Sequence, residues 1–211
     1  MSITINLSKK RGMSQLKTAI ILYFAFFMLL SVGYPLVITV VGQVLFPIQA
    51  NGSLILNSEK KIVGSALIGQ FFTDEEYFWS RPSATLGYPY NSLVSGGSQL
   101  GPTNSKLLDK VKGRVELLRH LGSNGVLPAD MVMASGSGLD PDISIESALL
   151  QVPRVARARR MKEGSLRSIV SNHAERRQLS FLGVNRVNVL KLNRALDQMR
   201  ASEEKGVSDG R

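Results

Sequence analysis

The stretch Thr18–Val41, TAIILYFAFFMLLSVGYPLVITVV, decides the architecture. It is almost wholly apolar, and no charged residue falls anywhere from Thr18 to Ser58. As a helix rising 1.5 Å per residue it covers about 36 Å, enough to cross a hydrocarbon core of ~30 Å with some tilt. A helix apolar on every side does not sit on the surface of a soluble domain. A cleaved signal is the rival, but its apolar region runs to only about 7–15 residues and ends at a small-x-small site. Here the run leads into Gly42-Gln43-Val44-Leu45-Phe46-Pro47, which offers no such site. The reading is a retained transmembrane helix with its exit over residues 18–46. Gly33-Tyr34-Pro35 should loosen or kink it, because proline removes a backbone donor and crowds the preceding turn. Gly33, Pro35 and Gly42 are also small or irregular enough to let a partner helix approach.

The flanks orient the span. Lys9, Lys10, Arg11 and Lys17 precede it with no acid among them, and the first charge after it is Glu59. The positive-inside rule puts residues 1–17 in the cytoplasm and the rest beyond the membrane. Residues 47–201 then form one extracytoplasmic domain, and 202–211 a frayed polar tail. From Pro47 onward there are 22 basic and 16 acidic side chains, a net of +6. There is no cysteine, so no disulfide and no thiolate metal site. A domain of this length rests on its apolar core.

Within the domain, Ser53–Leu56 and Lys61–Gly64 read as a short hairpin around Asn57-Ser58-Glu59-Lys60. Ser65–Gly101 shows little periodicity and reads as irregular structure held by its own side chains. It holds Phe71, Phe72, Tyr77, Phe78, Trp79, Tyr88 and Tyr90. An amphipathic helix follows over Lys106–Leu121, capped by Asn104 or Ser105 and stopped by Gly122. Pro128–Ala134 reads as a strand. Ser144 caps a helix through Glu146–Gln151, and Pro153 restarts it as PRVARARRM. A further helix is expected over Leu166–Gln178, then a strand at Val187–Val189 and a last helix over Lys191–Met199. The fold class is α+β, one membrane helix followed by one compact domain.

Catalytic chemistry is sparse. His120 and His173 are the only histidines, and neither has an evident nucleophile partner. Asp74-Glu75-Glu76 and Asp140, Asp142 and Glu146 are the acidic groups, the latter set opening a helix where acids belong. No cluster has the ligand set of a metal site. Arg154, Arg157, Arg159 and Arg160 form a basic run, with Arg159 on the apolar face and expected to be paired. Ser95-Gly96-Gly97-Ser98 offers backbone donors to an anion, but no G-x-x-x-x-G-K-[ST] loop is present. No aromatic platform joins a basic groove, so nucleic acid is not an expected partner. The aromatic stretch Tyr77–Arg81 suits a protein interface, since Tyr and Trp bury large area with little entropy loss; packing its own core is the plainer alternative.

Taken in order, GYPLVITVVGQVLFP (Gly33–Pro47), QANGSLI, GSALIGQFF with YFWSRPSA, SGGSQLGPTN, ASGSGLDPDIS, QVPRVARAR and GVNRVNVLKLNRALD form a specific series. In that order and spacing the chain resembles the C subunit of the Kdp potassium-transporting ATPase, a bacterial P-type pump. Val184-Asn185 stands where the resemblance leads one to expect Glu-Pro, and Arg194 where a more apolar residue is expected. The resemblance implies a non-catalytic accessory subunit of an inner-membrane complex. Its partners would be a potassium-channel-like subunit, an ATP-hydrolysing subunit and the lipid bilayer. The DKTG phosphorylation motif is absent from this chain. No cofactor is expected to bind firmly. The resemblance also implies that the subunit raises the ATP affinity of the hydrolysing subunit, with Ser95, Gly96, Gly97 and Ser98 as the nucleotide contact. The charge-based orientation places those four residues away from cytoplasmic ATP, so any such effect would then be indirect. Tyr77, Trp79, Arg81, Gln151 and Arg154, with Gly33, Pro35 and Gly42, are the candidate partner-binding residues. A free-standing anchored binding module and an anchored hydrolase are the alternatives.

Overall fold

The computed structural model describes residues 2–57, 59–123 and 125–208, with side chains from Ser14 to Arg200 and at Ser202. The chain divides into two units, residues 1–53 and 54–211.

The first unit is helical. Helix α1 (Ser2–Phe27) passes through a π-helical segment, Met28–Gly33, into α2 (Tyr34–Leu45). From Ser14 to Leu45 the backbone is helical, about 48 Å at 1.5 Å per residue. It faces outward all round, with only Gly33 and Gly42 partly covered. The π segment is the loosening expected from Gly33-Tyr34-Pro35. Pro35 has no N–H for the carbonyl of Ser31, and the Tyr34 N–H donates instead to the carbonyl of Leu29, one residue further back than in an α-helix. Phe46 breaks the helix, and the single turn α3 (Pro47–Ala50) follows. Asn51 Nδ2 fastens this exit, donating to Pro47 O at 2.7 Å and Gln43 Oε1 at 3.1 Å. Gly42 looks onto Ala50, where an added Cβ would sit at 3.9 Å, ordinary contact.

The second unit starts with the expected hairpin, β1 (Leu54–Leu56) and β2 (Ile62–Ser65), antiparallel with Ile55 opposite Gly64. Asn57 Oδ1 shapes its turn by accepting from the Glu59 and Lys61 amides. Residues 66–104 hold no helix or strand. Helix α4 (Ser105–His120) begins at Asn104, whose side chain accepts from the Lys106 amide. Where a strand was expected after Pro128, the chain makes the short helix α5 (Ala129–Val132). Pro128 precedes this turn as its N-cap in an extended conformation, and the turn aims Asp130 at the next element. Its carboxylate accepts from the Ser144 amide at 2.7 Å and the Ser147 hydroxyl at 2.5 Å.

Strand β3 (Asp142–Ser144) leads into α6 (Ile145–Arg159), with Ser144 as the expected cap. Pro153 does not restart this helix; α6 runs through it. An interior proline costs about 3 kcal/mol, but Ala148, Val152 and Val155 on the same helix are fully buried, and that packing outweighs it. Helix α7 (Glu163–Asn172) ends six residues before the expected Gln178. The His173 amide and ring both turn back to the Ile169 carbonyl. Ala174 then enters β4 (Ala174–Glu175), opposite Val187 of β5 (Arg186–Asn188). The sheet order is β3-β5-β4, all antiparallel. Helix α8 (Val189–Ser208) continues past Ser202, through residues the sequence reading assigned to a tail.

The main core is built on one face of this sheet. Ile143 and Val187 from the strands meet Val152 and Val155 of α6, Leu166 and Val170 of α7, and Leu192 and Leu196 of α8. One residue from the irregular segment joins them fully buried, Phe78. A smaller cluster gathers Leu118, Met131 and Val132.

Candidate functional site

Phe78 is buried, so the backbone around it leaves water and every polar group on it needs a partner. No strand runs alongside. Side chains from α6 and α8 take the strand's place. Asn193 of α8 accepts from the Phe78 amide at 2.8 Å and donates to the Phe78 carbonyl at 2.9 Å. Gln151 of α6 does the same one residue on, accepting from the Trp79 amide at 2.7 Å and donating to its carbonyl at 3.1 Å. Each amide side chain reproduces the donor–acceptor pair of a neighbouring strand.

Two arginines complete the grip. Arg154 donates to the carbonyls of Glu75 (2.6 Å) and Tyr77 (3.0 Å) and to Gln151 Oε1 (2.8 Å). Its guanidinium lies 4.1 Å from the centre of the Trp79 ring. Arg159 donates to the carbonyl of Glu76 at 2.6 Å and to Asp197 at 2.8 Å, with the Tyr77 ring 4.9 Å away. Five consecutive carbonyls, Glu75 through Trp79, thus accept from side chains of two helices. Burial lowers the Arg154 pKa to about 10, partly opposed by Glu75. Arg159 is buried and paired, as its position on the apolar face foretold.

The grip locates the expected partner-binding residues. Gln151 and Arg154 are only 3% and 7% exposed, so they face inward and are consumed within the chain. Tyr77 and Trp79 are half-buried; Trp79 Nε1 donates to the Asp74 carbonyl at 3.0 Å. Arg81 pairs with Asp140 at 2.6 Å, and its Nε is buried without a partner among the described residues. Trp79 and Arg81 also line an apolar groove of about 240 Å³ with Phe71, Leu117 and Met131. Gly33, Pro35 and Gly42 lie in the separate helical unit.

The Ser95–Ser98 loop meets the other Gly/Ser loop. Gly96 N donates to Ser137 O at 2.8 Å, and Ser95 Oγ to the same carbonyl at 3.0 Å. Ser98 Oγ accepts from the Leu100 amide. Gly97 packs on Gly136, where an added Cβ would lie 3.1 Å from its carbonyl oxygen. Two of the four residues' best donors are therefore spent on Ser137. His120 ends α4 in solvent, and His173 caps α7 rather than lying within it. Among the described residues no group of three His, Asp or Glu side chains gathers as a metal site would.

Asn193 and Asp130 are the functional residues the sequence reading missed. Asn193 carried a signal, since it shares helical spacing with Val189, Leu192 and Leu196, a polar residue on an apolar face.

These features define a class: a chain with, among the described residues, one helix long and apolar enough to cross a membrane, and an α+β domain that closes around an aromatic segment gripped by side chains. The chain belongs to the family of the K+-transporting ATPase c chain, whose model matches residues 16–198. It is 51% identical over 187 residues to a protein of Geobacter sulfurreducens, covering 89% of this chain and 99% of that one. It is 51% identical over 187 residues to one of Polaromonas naphthalenivorans, covering 88% and 95%. A Rhodopseudomonas palustris protein is 47% identical over 196 residues, covering 88% and 98%. Each of the three is named as the KdpC subunit of a potassium-transporting ATPase.

Proposed function

We propose that this chain is a non-catalytic accessory subunit of an ATP-driven, high-affinity potassium uptake complex in a bacterial inner membrane. Its helix packs among the spans of a channel-like subunit, and its domain stands outside the cytoplasm, steadying the assembly. Family membership supports the complex. The observation that carries the non-catalytic reading is the grip itself. The polar side chains closest to the aromatic segment, Gln151, Arg154 and Asn193, are spent on its backbone. Beside the segment lies a largely apolar groove lined by Trp79 and Phe71, which suits docking and not bond-making.

An effect on ATP affinity then travels through the partner subunits. The committed donors at Ser95 and Gly96 favour this over direct nucleotide contact. The test is purification of the complex with and without this chain. The expected result without it is loss of a stable, potassium-stimulated ATPase. A complex that assembles and pumps with unchanged ATP dependence would refute the reading.

A further inference from the structure

The domain exposes a second apolar feature that neither the core nor the grip uses. Between β4 and β5 the chain makes a tight hairpin. The Gln178 amide donates to Leu182 O at 3.0 Å, and the Leu182 amide to Gln178 O at 2.9 Å. Leu179 and Ser180 at its tip have φ of 50° and 69°. Two successive left-handed residues make the tight hairpin turn that normally takes Asn and Gly. Here the first is leucine, and it points into solvent. Leu179 is 77% exposed, Phe181 71% and Val184 69%.

The base of the hairpin is basic. Arg176 and Arg177 are exposed, and neither guanidinium has a hydrogen-bond or ionic partner among the described residues. Arg186, on the returning strand, is half exposed and shared between Asp142 and Glu175. No acid occurs from Arg176 to Leu196. The feature is convex, apolar at its end and cationic behind it. That order matches a loop inserted into a lipid leaflet, with its tip at the acyl boundary and its arginines among the phosphates nearer the water. Arginine forks suit those phosphates. A protein groove would need its own acids placed for both arginines.

We propose that the Arg176–Arg186 hairpin dips its apolar tip into an anionic lipid leaflet, giving the domain a second attachment to the membrane. The proposal rests on the anchored reading, which keeps a bilayer beside the domain.

The chain has no cysteine, so single sites can be labelled cleanly. Leu179→Cys, with Phe181→Cys as a second tip site should the first misfold, carries the fluorophore NBD. Val126→Cys, at a position 95% exposed, is the surface control. Leu36→Cys in α2 reports the anchor. The full chain is reconstituted into phosphatidylcholine vesicles with or without one quarter phosphatidylglycerol, containing shallow nitroxide lipids. The tip label should shift to the blue and be quenched in the anionic vesicles, while the Val126→Cys label is not. Arg176→Gln and Arg177→Gln should each lower the inserted-to-free ratio about fivefold. A tip label that stays in water while the Leu36→Cys label is quenched overturns the proposal. So does quenching that ignores lipid charge, or protection of the tip only in the complete pump, which would mark a protein contact. Failure of the Leu36→Cys label to be quenched would instead sink the anchored reading, and the proposal with it.

Discussion

Gln151 holds Trp79 by both poles of its backbone, accepting from the amide at 2.7 Å and donating to the carbonyl at 3.1 Å. Replacing it with leucine keeps the volume and removes both bonds, together with the acceptor for Arg154. An unpaired buried donor or acceptor costs about 1–3 kcal/mol. Gln151→Leu should therefore destabilise the domain by about 2–4 kcal/mol. Trp79 is the sole tryptophan, so its fluorescence during urea unfolding of the full chain in detergent reads this directly.

Arg154 is a fork, and a point charge cannot replace it. It serves two carbonyls and Gln151 at once while its guanidinium sits over the Trp79 ring. Arg154→Lys keeps the charge but loses the fork and the stacking. A loss of about 2–3 kcal/mol is expected. Wild-type stability in the lysine variant, by the same unfolding measurement, would show that charge alone matters there.

The two amide grips act on neighbouring residues, so they are not independent. Once Asn193 releases Phe78, the pair that Gln151 makes with Trp79 is already weakened. A double-mutant cycle of Gln151→Ala and Asn193→Ala should show a combined cost smaller than the sum of the singles, with coupling of about 1 kcal/mol or more. Strict additivity would mean that the segment is held in two separate places.

Of this grip the sequence showed the pairing of Arg159 and not the inward roles of Gln151, Arg154 and Asn193, although periodicity carried a signal for two of them. Gln151 falls in line with Ala148, Val152 and Val155, as Asn193 does with Val189, Leu192 and Leu196. A polar side chain on an apolar helix face must find a buried partner. The span, the hairpin β1–β2, α4 with its Asn104 cap and the pairing of Arg159 followed from equally local rules. The misreadings came where tertiary contacts decide. Pro153 marks a break by propensity, yet α6 continues because its apolar face is buried on both sides of the proline. Residues 174–178 read as helix until Ala174 is drawn into the sheet opposite Val187. Pro128–Ala134 is apolar enough for a strand, but Asp130 is needed at the start of α6, and only a turn of helix delivers it there. Gln151 and Arg154 were expected on a partner surface because sequence cannot tell an inward polar residue from an outward one without the segment it meets.

Tyr90 should govern the alkaline limit of the domain. Its hydroxyl donates to the Arg81 carbonyl at 2.6 Å, and burial pushes its pKa up to about 12 from 10.0. A folded pKa raised above the unfolded one means stability that is fully present below pH ~10 and lost as the pH climbs through ~12. Tyr90→Phe should be less stable at neutral pH but lack this part of the alkaline decline. Parallel pH–stability curves for the two proteins above pH ~10 would contradict the assignment.

The Ser95–Ser98 loop is structural in this account. Gly138 has φ +69°, and a Cβ there would come within 2.6 Å of Thr85 Cγ2 and 2.7 Å of the Gly96 carbonyl oxygen. Gly138→Ala should cost roughly 2–4 kcal/mol by prying the two loops apart. Ser95→Ala loses only the bond to Ser137 O, about 1 kcal/mol. In the assembled pump, neither Ser95→Ala nor Ser98→Ala should change the KM for ATP. A large rise in that KM, with potassium dependence unchanged, would restore direct nucleotide contact.

The central claim is an anchored subunit whose folded domain lies outside the cytoplasm, and protease treatment of intact spheroplasts tests it most directly. The account predicts that the Leu54–Arg211 unit is digested before lysis while the cytoplasmic residues 1–17 stay protected. A domain that resists digestion until the cells are broken would reverse the orientation and bring Ser95–Ser98 to the side where ATP is.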